Sequence, residues 1–581
     1  MSGSSQGAGS FGIADYAVFV LMLVVSAGIG VYYAWMDRSS GEFLTGGRTL
    51  TALPVSMSLT ASIMSSVTLM SNPAEVYQYG AIFGLIGIAY TLSIVITSEI
   101  FLPVFYRLGI TSIYEYLEQR FNKAARLYGT VTFIIQTCLY AGVMAYGPAL
   151  ALNRVIDMNL WIGITSTAIV CTFYCTFVSK LIKFSIDLIG IMLSGYFAVI
   201  TKSVMVQGGI SIIVSDSQQG GRLNFWDFDI NPLRRNTFWT LVVGGTFVWS
   251  SVYGIHPAAV QRYISCKSIL HARVAVYFNL LGLYACLIST LFSGLCLYSV
   301  YKNCDPWTAG LVSSPDQLMP HLVMEIFASN PGVPGLFLAA VYSGSLRLIY
   351  TRHNKSKKQK QRKKRGNFYI NFNILAVIGS VTGGPLLGLF SLGMLCPFAN
   401  SKGGLSGLVL GFVATLCVSI GDILSPSPSE MTRPLSLTTT GCNFTSAGHH
   451  NWTSTVPPVN SILSFTTRCP PSEKWHSPSY LYFCLIGAVT ALTVGVIVSL
   501  LTGGRKKKVD PKLLLQKEDT TLCHLFTVDV GVVFLQVMVG AEELDLTEAP
   551  GSGNANPDFR DLGGITNQIR TLSYPDLSFL Y

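Results

Sequence analysis

Long apolar stretches separated by short polar ones dominate this chain. They lie near residues 13–35, 52–70, 82–106, 128–150, 160–177, 185–206, 237–256, 274–300, 334–350, 372–398, 403–423 and 480–501. A helix needs roughly 20 apolar residues to cross about 30 Å of hydrocarbon, and these runs match that length. None alternates strictly between apolar and polar positions, which argues for helices over barrel strands. The pattern predicts an all-α polytopic membrane protein of about 12 spans, numbered one to twelve in the order given.

The polar stretches predict orientation. Arg38 and Arg48 follow span one; Arg107, Arg120, Lys123 and Arg126 lie between spans three and four; Arg262, Lys267 and Arg273 lie between spans seven and eight. Basic loops face the cytoplasm, which puts the N-terminus outside. The segments 207–236 and 301–333 then face outward, with Arg234 and Arg235 as exceptions to the charge rule. Residues 425–479 are rich in Ser, Thr and Pro and carry Asn443-Phe444-Thr445 and Asn451-Trp452-Thr453, two glycan acceptor patterns that predict an extracellular loop. The polar stretch 517–581 reads as a cytoplasmic tail.

Composition agrees with this reading. Charged residues make up 12% of the chain against about 25% in a soluble domain. The net charge of +10 does not point to nucleic acid, because nine Lys and Arg are concentrated between Arg352 and Arg365 and the rest sit mostly in short loops. No basic n-region precedes the first apolar run, so span one is read as retained. Most of the 13 cysteines fall inside apolar runs as small buried hydrophobes. Cys304, Cys442 and Cys469 lie in polar loops, where an oxidising side permits a disulfide among them.

Two spans are interrupted. Span two reads Pro54-Val-Ser-Met-Ser-Leu-Thr-Ala-Ser-Ile-Met-Ser-Ser-Val-Thr68, with hydroxyls crowded at mid-span. A helix broken inside a membrane must satisfy its freed backbone groups with ions, solute or other protein, and transporters use such breaks. Close helix packing through small residues is the alternative. Span seven contains Tyr253-Gly254-Ile255-His256-Pro257, whose proline interrupts the hydrogen-bond ladder. Ser62, Ser65, Thr68, Tyr253 and His256 are therefore the candidate solute contacts, with a packed or loop role as the alternative for the lone histidine. Glu99 and Asp187 are charges within or at the ends of spans, which makes each a candidate site residue or a group reaching the interface. No phosphate loop, HExxH or nucleophile-elbow pattern is present, which argues against an enzyme.

Several segments together resemble the sodium/solute symporters, in their monocarboxylate branch. They include Thr60-Ala-Ser-Ile-Met-Ser-Ser-Val-Thr68, Pro73-Ala-Glu-Val-Tyr77, Phe101-Leu-Pro-Val-Phe-Tyr-Arg107, Tyr146-Gly-Pro-Ala-Leu-Ala-Leu-Asn153, Gln261-Arg-Tyr-Ile-Ser-Cys-Lys267, Cys304-Asp-Pro-Trp-Thr308 and Gly383-Gly-Pro-Leu-Leu-Gly-Leu-Phe390. The multivitamin and iodide transporters fit less well. The resemblance implies two inverted five-helix repeats with extra helices, in a plasma-membrane symport domain over 1–516. It implies coupling of Na⁺ to lactate, pyruvate, butyrate or nicotinate, no cofactor beyond the coupling ion, and the lipid bilayer as surroundings, with an oligomer left open. It also implies that Ala61 and Met64 offer carbonyls to Na⁺, joined by two hydroxyls of span nine.

This chain departs from that pattern. Ser343-Gly-Ser-Leu346 is followed by Arg347-Leu348 where the resemblance implies Ser-Thr, and the next helix is missing. The stretch 347–371 reads as an aberrant insert from splicing or a gene-model join, or else as a polybasic cytoplasmic loop. Counting single crossings then places the 425–479 loop in the cytoplasm, against its glycan signals. A transport-defective assembly partner is the second functional reading, and a channel or solute sensor the third.

Overall fold

The computed structural model describes residues 11–36, 50–63, 65–110, 112–156, 159–167, 184–342, 372–442, 476–503 and 509–520. All lie within one compact unit, Met1–Thr527. The described residues are helical apart from loops, 3₁₀ and π turns and one isolated parallel bridge between Leu50 and Cys266.

Among them, six helices are long and apolar enough to cross a membrane: Ala81–Leu108, Lys123–Asn153, Ile269–Tyr301, Ala376–Leu395, Ser401–Leu424 and Tyr482–Leu501. Two bent pairs raise this to as many as eight. The expected spans one, seven and nine occur as Ile13–Met36, as a π turn Thr240–Gly244 continuing into Gly245–Gly254, and as Val333–Tyr342. The segment after span six, expected to be a loop, instead holds a helix, Ile210–Gln219, which leaves Met192–Gln207 at 84°. The corner is made by Gly208 and Gly209, with φ of 86° and 146°, a region that side chains strongly disfavour.

Loop contacts sort the span ends into two sets. At one end, Asp15 accepts from the Gly332 and Gly335 amides at 2.7 and 3.4 Å. There too Cys304 is disulfide-bonded to Cys442, the Asp305 amide donates to Thr438 at 2.9 Å, and the Ser479 amide donates to Pro232 at 2.8 Å. At the opposite end, Arg120 donates to the carbonyls of Gly393, Ala399 and Cys396 at 2.8, 2.9 and 2.8 Å. The Leu515 amide donates to Met394 at 3.1 Å, and Arg107 pairs with Asp519.

This sorting corrects the crossing count. Span ten starts at the Cys304 end, where Ala376 packs in one cluster with Leu241, Tyr480 and Leu481, and it finishes beside Arg120. Span nine also starts at the Cys304 end, beside Asp15. Spans nine and ten therefore run in the same direction and do not form a simple hairpin. Counting them as antiparallel neighbours put the 425–479 loop at the wrong end; its described parts share an end with Asp15 and Cys304. The stretch 347–371 lies outside the described residues.

The two exceptions to the charge rule have a physical cause. Arg235 forms a buried pair with Glu75 at 2.8 Å, and Arg234 pairs with Asp227 and Asp229 at 2.7 and 3.1 Å. Neutralised cations exert little pull on orientation.

Spans ten, eleven and twelve pack through glycines. A Cβ at Gly388 would sit 2.4 Å from the Ala488 carbonyl oxygen, and one at Gly407 would sit 2.3 Å from that of Ala491. Backbones approach this closely only over small residues. Replacing Gly407 by Val is expected to force the helices apart and cost about 1–3 kcal/mol, read as a lower melting temperature of detergent-solubilised protein.

A buried acid near the Cys304 end predicts a pH effect. Asp316, in the Pro315–Gln317 turn, is 5% exposed, and its Oδ2 lacks a partner among the described residues. Burial pushes its pKa from 3.8 up to about 7; a hydrogen bond from Ser71 opposes the rise and the Glu75 charge adds to it. The folded protein then holds a proton that the unfolded chain has lost. Stability is greatest below pH 3.8 for this group and falls as pH rises to about 7, by up to about 1.4 kcal/mol per pH unit. Asp316→Asn is expected to flatten that part of the melting-temperature profile.

Candidate functional site

Span two is broken as its sequence predicts. Ala52–Ser62 and Ser66–Tyr79 meet at 62°. Ser65 is extended, with φ −131° and ψ 176°, and caps the second half-helix: its amide donates to Thr68 Oγ1 at 3.4 Å, and its carbonyl accepts from the Leu69 amide at 3.2 Å. The hydroxyl of Tyr196 donates to the Thr68 carbonyl and lies 3.1 Å from Thr290 Oγ1. The first half-helix is anchored by Thr60, whose hydroxyl donates to Asn279 on span eight at 2.9 Å.

Span seven breaks beside it. Gly245–Gly254 ends at Ile255, and Pro257–Ile264 begins a new helix with proline in its first turn, where the missing amide costs nothing. His256 is the cap residue of that helix, and its Nδ1 accepts from the Ala258 amide at 3.3 Å. Its ring also meets Phe133 edge-on at 5.5 Å.

A cavity of about 210 Å³ lies between the two breaks. Ser62, Ser65, Thr68, Tyr253 and His256 all line it. Its walls are otherwise mainly apolar, including Leu59, Ile86, Leu283, Leu287 and Leu386, with Trp249 meeting Tyr90 edge-on at 4.7 Å and Tyr253 at a tilt at 6.1 Å. Pockets for drug-sized ligands hold about 300–1,000 Å³, so this one suits a smaller solute. Apolar walls with a few converging polar groups fix an orientation for a short amphipathic molecule.

The remaining sequence candidates fall elsewhere. Ala61 is fully buried in a cluster shared with Ala340 and Val341 of span nine, and it does not line the cavity. Met64 lies outside the described residues, as do Asn443 and Asn451 and the Arg347-Leu348 pair. Glu99 is 6% exposed within a π turn, Thr97–Phe101, and it is absent from the cavity lining. Asp187 falls in the helix Phe184–Gln207, and its side chain lies outside the described residues.

Sequence reasoning missed other polar lining residues, among them Asn72, Gln136, Tyr140 and Arg262. Gln136 and Tyr140 are polar positions inside an apolar run, a signal that was available, whereas Asn72 lies just past the run expected for span two. Arg262 was counted as a loop charge that fixes orientation. The structure puts it on the second half of span seven, against the cavity, with Nη1 donating to the Ser58 carbonyl at 2.8 Å and to the Ser62 hydroxyl.

Comparison with known proteins fits this arrangement. The sodium:solute symporter family profile matches residues 43–354. Sodium-coupled monocarboxylate transporter 1 of Xenopus laevis is 49% identical over 88% of this chain and 89% of its own length. The human protein of that name is 47% identical over 88% and 91%. The human sodium/iodide cotransporter is less similar, at 37% over 94% and 92%. A solved Na⁺-coupled sialic acid symporter superposes with a TM-score of 0.64 at 19% identity, over 85% of this chain and 98% of that one, and shares the fold. The chain belongs to the sodium:solute symporter family and is a multi-pass membrane protein.

Proposed function

We propose that this protein couples Na⁺ entry to uptake of short monocarboxylates, such as lactate, pyruvate, butyrate or nicotinate, across the plasma membrane. The supporting observation is the cavity at the paired breaks of spans two and seven, small and apolar-walled, with three hydroxyls of span two along one side. The relatives at 49% and 47% identity carry that activity in their names. Transport proceeds by alternating access around the cavity, and the solute is not chemically altered. Na⁺ is a co-transported substrate that binds carbonyls at the span-two break, from Ala61 and Met64, as the family resemblance implies. The N-terminus and the Cys304 end face outward. Digestion with a glycosidase is therefore expected to shift the mobility of the intact chain, and Asn443→Gln with Asn451→Gln is expected to abolish that shift.

A second reading is supported by the parallel course of spans nine and ten. This form assembles in the membrane without completing transport, since Arg347-Leu348 supplies a cation and an apolar side chain where the family resemblance implies two hydroxyls for Na⁺. The deciding experiment compares Na⁺-dependent lactate or nicotinate uptake by this chain with uptake by a version carrying Arg347→Ser, Leu348→Thr and a returning helix. Uptake by both supports symport by this chain as it stands. Uptake by the second alone supports the transport-defective form, and uptake by neither removes the monocarboxylate reading.

A further inference from the structure

We infer that Arg262 binds the carboxylate of the transported solute, an inference that rests on the monocarboxylate reading above. Arg262 is the one charged side chain among Lys, Arg, Asp and Glu on the cavity lining of the described residues. A guanidinium taken out of water is costly unless an anion accompanies it, and no carboxylate of the described lining does so. Its hydrogen bonds explain which edge remains for a ligand. Nη1 donates to Ser58 and Ser62 at the end of the first half-helix of span two. Nε and Nη2 donate to no acceptor among the described residues. That leaves two parallel N–H groups, the fork that matches a carboxylate in bidentate fashion.

The position gives the contact a consequence. Arg262 sits on the half-helix that follows the break in span seven and already holds the half-helix that precedes the break in span two. A carboxylate on its free edge is thereby tied to both broken spans at once. The apolar wall formed by Leu283, Leu287 and Leu386 takes the hydrocarbon end of the solute. A neutral molecule of the same shape gains the wall but not the fork.

The test is equilibrium binding of radiolabelled butyrate to the purified full-length protein in Na⁺, with unlabelled butyramide as the neutral competitor. Wild type is expected to bind butyrate and to discriminate against the amide. Arg262→Gln is expected to lose about thirtyfold or more in butyrate affinity, the scale for removing one partner of a buried charge pair, while weak amide binding is unchanged. Arg262→Lys keeps the charge without the fork and is expected to lose about tenfold; it serves where the glutamine variant does not fold. Retention of wild-type acid-over-amide discrimination in Arg262→Gln, or unchanged affinity in Arg262→Lys, overturns the inference and leaves the substrate class standing. Wild type that binds no butyrate overturns both.

Discussion

Glu75→Gln is expected to lower the stability of the folded protein by about 3–5 kcal/mol, the cost of leaving a buried charge unpaired. Glu75 is 6% exposed on the second half of span two. Its carboxylate takes Arg235 Nε at 3.0 Å and Nη2 at 2.8 Å, and Asn236 Nδ2 at 3.3 Å. The guanidinium also lies 4.2 Å from the ring of Tyr79 and 5.4 Å from that of Tyr480. Removing the carboxylate takes from Arg235 the group that neutralises it at hydrogen-bond distance; the Ser479 hydroxyl and the Met431 carbonyl hold only its backbone. Arg235→Gln is expected to cost a similar amount from the other side. The double variant removes both charges and is expected to be more stable than either single one. Melting of detergent-solubilised protein across this double-mutant cycle checks the coupling. Simple addition of the two single effects contradicts the assignment.

Removing the disulfide is expected to produce the second large effect. Cys304 and Cys442 are 138 residues apart in sequence, with Cα atoms 4.9 Å apart. Chain-entropy arguments give about 4–5 kcal/mol for a loop of that order in a fully unfolded chain. In a membrane the unfolded reference keeps its helices, and the spans between the two cysteines already limit the loop. The expected cost of Cys442→Ser is therefore nearer 2 kcal/mol. The effect is expected to be local: the Asp305 amide to Thr438 and Gly441 amide to Asn303 contacts, at 2.9 Å each, lose their clamp. Melting with and without reductant measures it. Wild type is expected to fall under reductant to the level of Cys442→Ser, and a variant that melts like oxidised wild type contradicts the prediction.

Much of this was legible in the sequence because it follows from local chemistry. Apolar length and low charge fix helices in a membrane, since backbone groups in hydrocarbon must bond within their own segment. Hydroxyls and a proline in mid-span marked both breaks, and Ser62, Ser65, Thr68, Tyr253 and His256 now line one cavity between them. Other features depended on which residues meet across the fold. Arg262 looked like a loop cation because its window is polar, and only the break in span seven turns it toward Ser58 and Ser62. Arg234 and Arg235 looked like violations of the charge rule until Asp227, Asp229 and Glu75 were found opposite them. The pairing of Cys304 with Cys442 and the shared direction of spans nine and ten also required the tertiary structure. Periodicity and breakers act within about one helical turn and can be read along a line. The Glu75–Arg235 pair, the sidedness and the cavity join residues more than a hundred positions apart, and the pairing of Arg234 with Asp227 and Asp229 depends on how a loop folds back on itself; only the packed chain decides those.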